Sequence, residues 1–100
     1  MKTIMVRYKT LPDRADENEA LIRAVFAELQ ERAPAGLRYA SYRLPDGVSF
    51  VHVASVAATD DNPLIELPAF KAFQRDMKQR CVELPVVTEL SPIGAYGITS

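Results

Sequence analysis

The order in which strand-like and helix-like segments follow one another most constrains this chain of 100 residues. Residues 3–9 alternate between apolar and polar side chains and are rich in Ile, Val and Tyr, which predicts a first strand. Asp16 and Glu19 have the spacing of a capping box, so a helix is expected to begin at about residue 17. Pro34-Ala35-Gly36 ends that helix, because neither Pro nor Gly favours its continuation.

The first helix has an apolar face and a charged face. The apolar face carries Leu21, Ile22, Val25, Phe26, Leu29 and Ala33. On the outer face, Glu19–Arg23 and Glu28–Arg32 have the i,i+4 spacing of ion pairs.

A hairpin follows the first helix. Residues 37–44 and 48–57 have the composition of strands two and three. The segment between them, Leu44-Pro45-Asp46-Gly47, predicts a turn, because Pro sets the first turn residue and Gly accepts the left-handed one.

A second helix and a last strand complete the order. Asn62 caps a short turn and Pro68 restarts the helix, in which a stripe of residues recurs at helical spacing: Phe70, Phe73, Met77 and Cys81. We interpret this stripe as the buried face of the helix, with Cys81 as an inert core residue. Pro85 ends the helix, and residues 86–96 are expected to form strand four.

The resulting order, β-α-β-β-α-β, predicts an α+β protein with the ferredoxin-like fold over a single domain, residues 1–100. This fold has a four-stranded antiparallel sheet in the order 4-1-3-2 with two helices on one face. Strand four is then an edge strand, which suits Pro92, because a proline within a sheet belongs at an edge or a bulge.

The composition excludes several classes of function. A net charge of −1 argues against a nucleic-acid partner, and a single Cys cannot form an internal disulfide. One Cys and one His do not make a zinc site, so no metal and no cofactor are expected. With no signal peptide and no stretch long enough to span a membrane, we expect a cytoplasmic protein without a membrane partner.

The pleat divides the sheet residues between two faces. Ile4 and Val6 on strand one, and Val51 and Val53 on strand three, form the more purely apolar sets and are expected to face the helices. The opposite face would then carry Met5, Arg7, Phe50, His52 and Ala54. A three-residue hairpin loop adds Tyr42 opposite Phe50, Ala40 opposite His52 and Arg38 opposite Ala54. A two-residue loop would instead set Tyr39 beside His52.

This uncovered face is too apolar for water and too polar for an ordinary core. An apolar patch of this size marks an interface or a ligand groove, and its charged residues would need partners if they were buried. Two such sheets packed about a two-fold axis would meet both demands, so we expect a homodimer with a cavity between the sheets.

At this point the chain resembles the dimeric α+β barrel superfamily, and within it the small antibiotic-biosynthesis-monooxygenase-like proteins. The likeness covers nearly the whole chain and consists of the element order and four segments: Gly36-Leu37-Arg38-Tyr39-Ala40, Phe50-Val51-His52-Val53, Asn62-Pro63-Leu64 with Pro68-Ala69-Phe70, and Pro92-Ile93-Gly94-Ala95-Tyr96. The resemblance implies a homodimer with one pocket per subunit, between sheet and helices or in the barrel. It also implies a small-molecule ligand, with cofactor-independent oxidation of aromatic compounds among the activities of the superfamily.

His52 and Arg7 are the candidate catalytic residues. His52 titrates nearest neutral pH and can act as a general base or as a hydrogen-bond donor to a bound aromatic or carbonyl compound. Alternatively, it is a strand histidine whose hydrogen bonds are satisfied by its neighbours across the dimer. Arg7 can hold an anionic group or an enolate oxygen, or it can pair with Glu89 or another carboxylate at the barrel rim. The candidate ligand-binding residues are Met5, Arg38, Tyr42, Phe50 and Ala54.

Three functional interpretations remain open. The first is a monooxygenase-like barrel that binds, and without a cofactor oxidises, a small aromatic or apolar molecule. The second is a non-catalytic or stress-related barrel that binds such a ligand. The third is a structural dimer whose cavity is filled by its own side chains.

Overall fold

The computed structural model describes residues 2–56 and 62–97. The strands are β1 (Lys2–Thr10), β2 (Leu37–Arg43), β3 (Ser49–Val56) and β4 (Cys81–Leu90). The helices are α1 (Ala15–Arg32), α2 (Pro68–Gln74) and α3 (Met77–Arg80), with 3₁₀ turns at Pro12–Arg14 and Pro63–Glu66. Residue 57, expected in strand three, lies outside the described residues.

The sheet has the order β2-β3-β1-β4, and each neighbouring pair of strands is antiparallel. α1 and α2 pack against each other and cover one side of the sheet, which we call the helix face; the other side is the open face. This arrangement confirms the predicted ferredoxin-like α+β fold, with β4 at an edge.

α1 begins at Ala15, two residues before the predicted start. The predicted capping box is wrong, because Asp16 and Glu19 bind Arg43 instead, with Nη1 donating to Asp16 Oδ1 at 3.1 Å and to Glu19 Oε1 at 2.8 Å. These ion pairs join the start of the helix to the β2–β3 hairpin. At its other end, α1 closes on Ala33, which adopts a left-handed conformation.

The two predicted ion pairs along α1 differ in outcome. Glu19 and Arg23 form theirs, with 2.8 Å between Oε2 and Nη2. Glu28 does not pair with Arg32; its Oε1 accepts the backbone N–H of Ala69 at 3.1 Å. Glu28 therefore satisfies a free N–H at the start of α2, where a carboxylate is favourable.

The second helix is interrupted. It ends at Gln74, because Arg75 is extended and Asp76 adopts a left-handed conformation with φ of 61°. The expected continuation to Cys81 is therefore wrong, and Cys81 is the first residue of β4. The predicted capping by Asn62 is confirmed, because its Oδ1 accepts the N–H of Leu64 at 3.0 Å.

β4 occupies residues Cys81–Leu90 instead of the predicted 86–96. Pro85 lies within this strand, and the pairing with β1 shifts register between Arg7 and Lys9, near that proline. The edge position tolerates Pro85 because one side of the strand has no ladder partner within the described sheet. Pro92, in contrast, lies beyond the strand.

The hairpin loop contains four residues, 45–48, because the Leu44 N–H donates to the Ser49 carbonyl at 2.9 Å. Asp46 orders the loop: its carboxylate accepts the N–H groups of Val48 and Ser49 and the Ser49 hydroxyl. These hydrogen bonds lower the pKa of Asp46 to about 2.

Candidate functional site

The loop length decides which residues of the hairpin share a face. With four loop residues, Ser41 lies opposite His52 and Tyr39 opposite Ala54, so neither predicted register is observed. Val6 on β1 also lies opposite His52. Because Val6 packs against the core beneath the helices, His52 lies on the helix face.

The predicted placement of Phe50, His52 and Ala54 on the open face is therefore wrong. All three are buried on the helix face, whereas Val51 and Val53 face the open side. The prediction assumed that the purely apolar set would meet the helices. The helix face accepts a histidine because polar partners for both of its ring nitrogens lie there.

His52 is only 4% exposed and is hydrogen-bonded on both sides of its ring. Nε2 lies 2.8 Å from the hydroxyl of Tyr8. Nδ1 lies 2.8 Å from the hydroxyl of Tyr39 and 2.6 Å from that of Ser41. Neighbours within the same chain thus satisfy the imidazole.

The hydrogen bonds continue from Tyr8 into the helices. Asn18 on α1 donates from Nδ2 to the Tyr8 hydroxyl at 2.8 Å. Arg80 at the end of α3 donates from Nε to Asn18 Oδ1 at 3.2 Å. We call the connected set the buried relay; it consists of Arg80, Asn18, Tyr8, His52, Tyr39 and Ser41.

Flat rings enclose the relay. The His52 ring stacks between Tyr8 and Tyr39, at centroid distances of 5.4 and 5.8 Å. Phe50 continues the stack beyond Tyr8, and Phe26 of α1 continues it beyond Tyr39 at 5.1 Å. The stack runs from the core to the surface beside α1.

Burial sets the protonation state of the relay. It lowers the pKa of His52 to about 4, because the imidazolium would lose its hydration. Burial also raises the pKa of Tyr39 and that of Tyr8, the latter well above its usual range. At neutral pH the relay therefore contains a neutral imidazole and two neutral phenols.

A groove between α1 and β2 reaches the relay from the surface. Its larger part, of about 450 Å³, is lined by Ile22, Phe26 and Ala27 of α1 and by Ser41 of β2. A second part, of about 220 Å³, adjoins it at Phe26 and is lined by Tyr39. Both hydroxyl residues that bind His52 Nδ1 thus line this α1–β2 groove.

The remaining predicted site residues are on the open face. Met5 and Arg7 of β1 line a depression of about 300 Å³ together with Val86 and Thr88 of β4. Arg38 and Tyr42 of β2 lie on the same face, because they pair with Ser55 and Val51. Tyr42 also borders the α1–β2 groove at the sheet edge, and the buried Phe50 lines that groove. Arg7 and His52, the two predicted catalytic residues, are therefore on opposite faces of the sheet.

Glu89 is not the partner of Arg7. It lies opposite Ile4, which places it on the other face, and Arg7 forms no ion pair with any residue in 2–56 or 62–97.

The sequence analysis missed Asn18 and Arg80, although each carries a signal. Asn18 precedes Ile22 and Val25 by four and seven residues, so it is a polar residue on the apolar face of α1. Arg80 follows Phe73 by seven residues and Met77 by three, at the same helical spacing. A polar residue at such a position must find a partner in the core.

Within the described part of the chain, no group of three or more His, Cys, Asp or Glu side chains is arranged to hold a metal ion. In those residues no helix is both long and apolar enough to cross a membrane.

Comparisons with solved structures identify the fold. Rv0793 from Mycobacterium tuberculosis superposes with a TM-score of 0.72 at 22% sequence identity, covering 94% of this chain and 96% of that one. PA3566 from Pseudomonas aeruginosa superposes with a TM-score of 0.69 at 20% identity, covering 93% and 94%. A protein named antibiotic biosynthesis monooxygenase superposes with a TM-score of 0.70 at 14% identity, covering 94% of this chain and all of its own.

No protein-family model matches the chain, and a search of curated proteins finds no match. At these identities the structural likeness concerns the fold and leaves the chemistry open. The chain has the α+β fold of the antibiotic biosynthesis monooxygenase-like proteins.

Proposed function

We propose that this protein binds a small aromatic molecule carrying an oxygen atom in the α1–β2 groove and oxidises it without a cofactor. The observation that supports this most directly is the connection between groove and relay: Tyr39 and Ser41 line the groove and bind His52 Nδ1. A concave site in which a few placed polar groups accompany apolar and aromatic side chains is the usual form of a small-molecule site, and this groove combines both kinds of lining.

The lining of the groove indicates the class of ligand. Phe26, Ile22 and Ala27 offer apolar surface, and the Phe26 ring can stack on a flat molecule. Gln30 adds polar atoms to the lining, and Glu19 contributes a carboxylate that is paired with Arg23 and Arg43. A flat hydroxylated or carbonyl-bearing aromatic molecule matches this combination.

The role that we propose for His52 is that of a hydrogen-bond donor instead of a general base. Its pKa of about 4 makes it a weak base at neutral pH, and neither ring nitrogen is free to reach a ligand. It can act through Tyr39 and Ser41, whose hydroxyls would stabilise negative charge on a ligand oxygen.

The proposed oxidation needs O₂ as its only oxidant, and its atoms and electrons balance. A ring CH₂ of an electron-rich aromatic substrate loses a proton to water in the open groove, which leaves an enolate whose oxygen the Tyr39 and Ser41 hydroxyls bind. The enolate passes electrons to O₂; one oxygen atom becomes the new carbonyl on that carbon, and the other leaves with the two hydrogens as water.

Oxygen uptake and binding, measured together on anthrones and naphthols, test this function. We expect these compounds to raise the melting temperature and to be oxidised with one O₂ per carbonyl formed. The double variant Tyr39→Phe/Ser41→Ala should bind these compounds about tenfold more weakly and lose about 100-fold in turnover, as on removal of an oxyanion donor. Tyr96→Phe, at a fully exposed tail position, is the matched control.

A second candidate function is ligand binding without turnover. It is favoured by the hydrogen bonds that occupy both nitrogens of His52 within the chain. Binding without oxygen uptake would support this candidate, and the absence of any binding would contradict both.

We also propose that two chains associate through their open faces. This face carries half-buried Met5, Val51 and Val53 beside exposed Tyr42 and Val86, a larger apolar area than single surface residues make. In such a homodimer the depression at Arg7 would lie between the two sheets, where its guanidinium could hold an anionic group. Met5, Arg7 and Arg38 are thus assigned to this second location, and Tyr42 borders both it and the α1–β2 groove.

A further inference from the structure

We infer that Arg80, which does not line the groove, fixes which nitrogen of His52 carries the proton and thereby which hydrogen-bonding groups the groove presents. The buried relay is polarised: each member donates to the next, from Arg80 at one end to Tyr39 and Ser41 at the other. Only the last step, from the relay to the ligand, depends on the proposed function.

The polarity starts at Arg80, which is 1% exposed. Its guanidinium donates to the carbonyl oxygens of Arg75 and Phe73, and its Nε donates to Asn18. A guanidinium carries only donors, so the Asn18 atom that faces it must be the oxygen Oδ1. The amide nitrogen of Asn18 therefore faces Tyr8, because a flipped amide would set its NH₂ group against the Arg80 Nε–H, a donor against a donor in a buried site.

The Asn18 amide determines the role of the Tyr8 hydroxyl. Its oxygen accepts from Asn18, and His52 Nε2 is its other hydrogen-bond neighbour among the described residues. If Nε2 carried a proton, it would donate to this oxygen, and the hydrogen of the Tyr8 hydroxyl would have no acceptor. All groups are satisfied only when Tyr8 donates to an unprotonated Nε2.

His52 is neutral at physiological pH, so its single proton is then on Nδ1. Nδ1–H donates to the hydroxyl oxygens of Tyr39 and Ser41. Each of these two hydroxyls keeps its own hydrogen. At most one of the two hydrogens can be donated from one hydroxyl to the other. At least one O–H hydrogen remains for a ligand acceptor, such as a carbonyl or phenolate oxygen.

Arg80 is thus a positioning residue, since it acts through Asn18, Tyr8 and His52. Asn18→Asp tests the polarity, because aspartate is nearly isosteric and accepts on both oxygens. The carboxylate introduced by this substitution still accepts from Arg80, but Tyr8 must now donate to it, so the Tyr8 oxygen accepts from Nε2–H. The proton of His52 should move from Nδ1 to Nε2.

Long-range ¹H–¹⁵N NMR correlations distinguish the protonated imidazole nitrogen from the unprotonated one, and the chain contains a single His. At pH 7.5 we expect the ratio of Nδ1–H to Nε2–H to be at least about 5:1 in the parent chain and at most about 1:5 in Asn18→Asp, since a buried group left without its hydrogen bond costs about 1 kcal/mol or more, which is about fivefold. Asn62→Asp, at the other asparagine, should keep the parent ratio.

A parent chain with the proton on Nε2 would overturn the inference, and so would an unchanged ratio in Asn18→Asp. If Asn18→Asp does not fold, the tautomer of the parent chain alone decides. No ligand enters this measurement, so a failure of the proposed function leaves its result unaffected. The ligand step is tested separately: Asn18→Asp should bind a quinone about tenfold more weakly, because one of the two hydroxyls must then donate its hydrogen to the Nδ1 lone pair and the groove offers one donor fewer.

Discussion

At the scale of single residues, the core of this protein contains buried polar groups, and each is accommodated in only one protonation state. His52 and Arg80 are both almost fully buried, yet one is neutral and the other charged. The core accommodates the Arg80 guanidinium because backbone carbonyls and the Asn18 side chain accept its hydrogen bonds. His52 is kept neutral because its neighbours are hydroxyls instead of carboxylates.

The neutral state of His52 in the folded chain predicts that stability depends on pH. The folded pKa of His52 is depressed from 6.5 to about 4, so between these values the unfolded chain binds a proton that the folded chain does not. The contribution of His52 to the free energy of unfolding is fully present above pH 6.5. It is lost as the pH falls toward 4, and the total loss is about 3 kcal/mol.

Denaturant unfolding between pH 5.5 and 7.5 measures the upper part of this slope, above the range in which Glu17, Glu19 and Asp46 titrate in the folded or the unfolded chain. His52→Gln should be less stable at pH 7.5 and should lack the slope over this range. Equal slopes in both proteins would show that another group is responsible.

At the scale of elements, two breaks in regular structure build the site. The loop of residues 45–48 sets Ser41 opposite His52, and the interruption after α2 brings Arg80 back under its carbonyl end. The Arg80 side chain acts as a C-terminal cap of α2, since it binds the carbonyls of Phe73 and Arg75.

The capping role predicts that Arg80→Met lowers the free energy of unfolding by about 2–4 kcal/mol, because it leaves buried carbonyls and the Asn18 oxygen without a donor. Lys78→Met, two residues earlier on the exposed side of α3, should change it by less than about 0.5 kcal/mol. Urea denaturation compares the two variants, and equal effects would argue against the cap.

The conformation of the loop allows a second comparison between a test substitution and a matched control, at two glycines. Gly47 has φ of +78° and open space where a Cβ would be, so Gly47→Ala is strained by its backbone alone and should cost about 1–2 kcal/mol. Gly94 has the same open space without the left-handed conformation, so Gly94→Ala should be neutral. A neutral Gly47→Ala in thermal unfolding would mean that the loop rearranges without cost.

These elements also show what the sequence could and could not predict. Strand and helix order followed from periodicity, because the helix stripe and the strand alternation are local patterns. The face of His52 did not follow from the sequence, because Val51 and Val53 look like the better core set. Its neighbours on β2 did not follow either, because a loop longer by one residue moves the opposing β2 side chains to the other face of the sheet. The relay partners are distant in sequence, with Asn18 and Arg80 62 residues apart, so no local pattern joins them.

At the scale of the whole molecule, the sheet divides the protein into two candidate sites. The helix face holds the relay and its groove, whereas the open face holds Arg7 and the area that we propose pairs with a second chain. Each face can therefore be perturbed without touching the other.

Val86 and Val87 test the homodimer. Both are 63% exposed on edge strand β4, but Val86 pairs with Arg7 on the open face and Val87 with Val6 on the helix face. Multi-angle light scattering at micromolar concentration should show a dimer for the parent chain and for Val87→Lys, and a monomer for Val86→Lys. A monomeric parent chain would contradict the proposal.

The central claim is that the α1–β2 groove is the ligand site, and blocking that groove tests it most directly. Ala27 lines the groove, whereas Ala24, one turn earlier on α1 and also exposed, does not. Calorimetric titration with a naphthol or quinone should give the same Kd for the parent chain and Ala24→Trp, and binding at least tenfold weaker for Ala27→Trp. Equal affinity in Ala27→Trp, or no binding to the parent chain, would contradict the account.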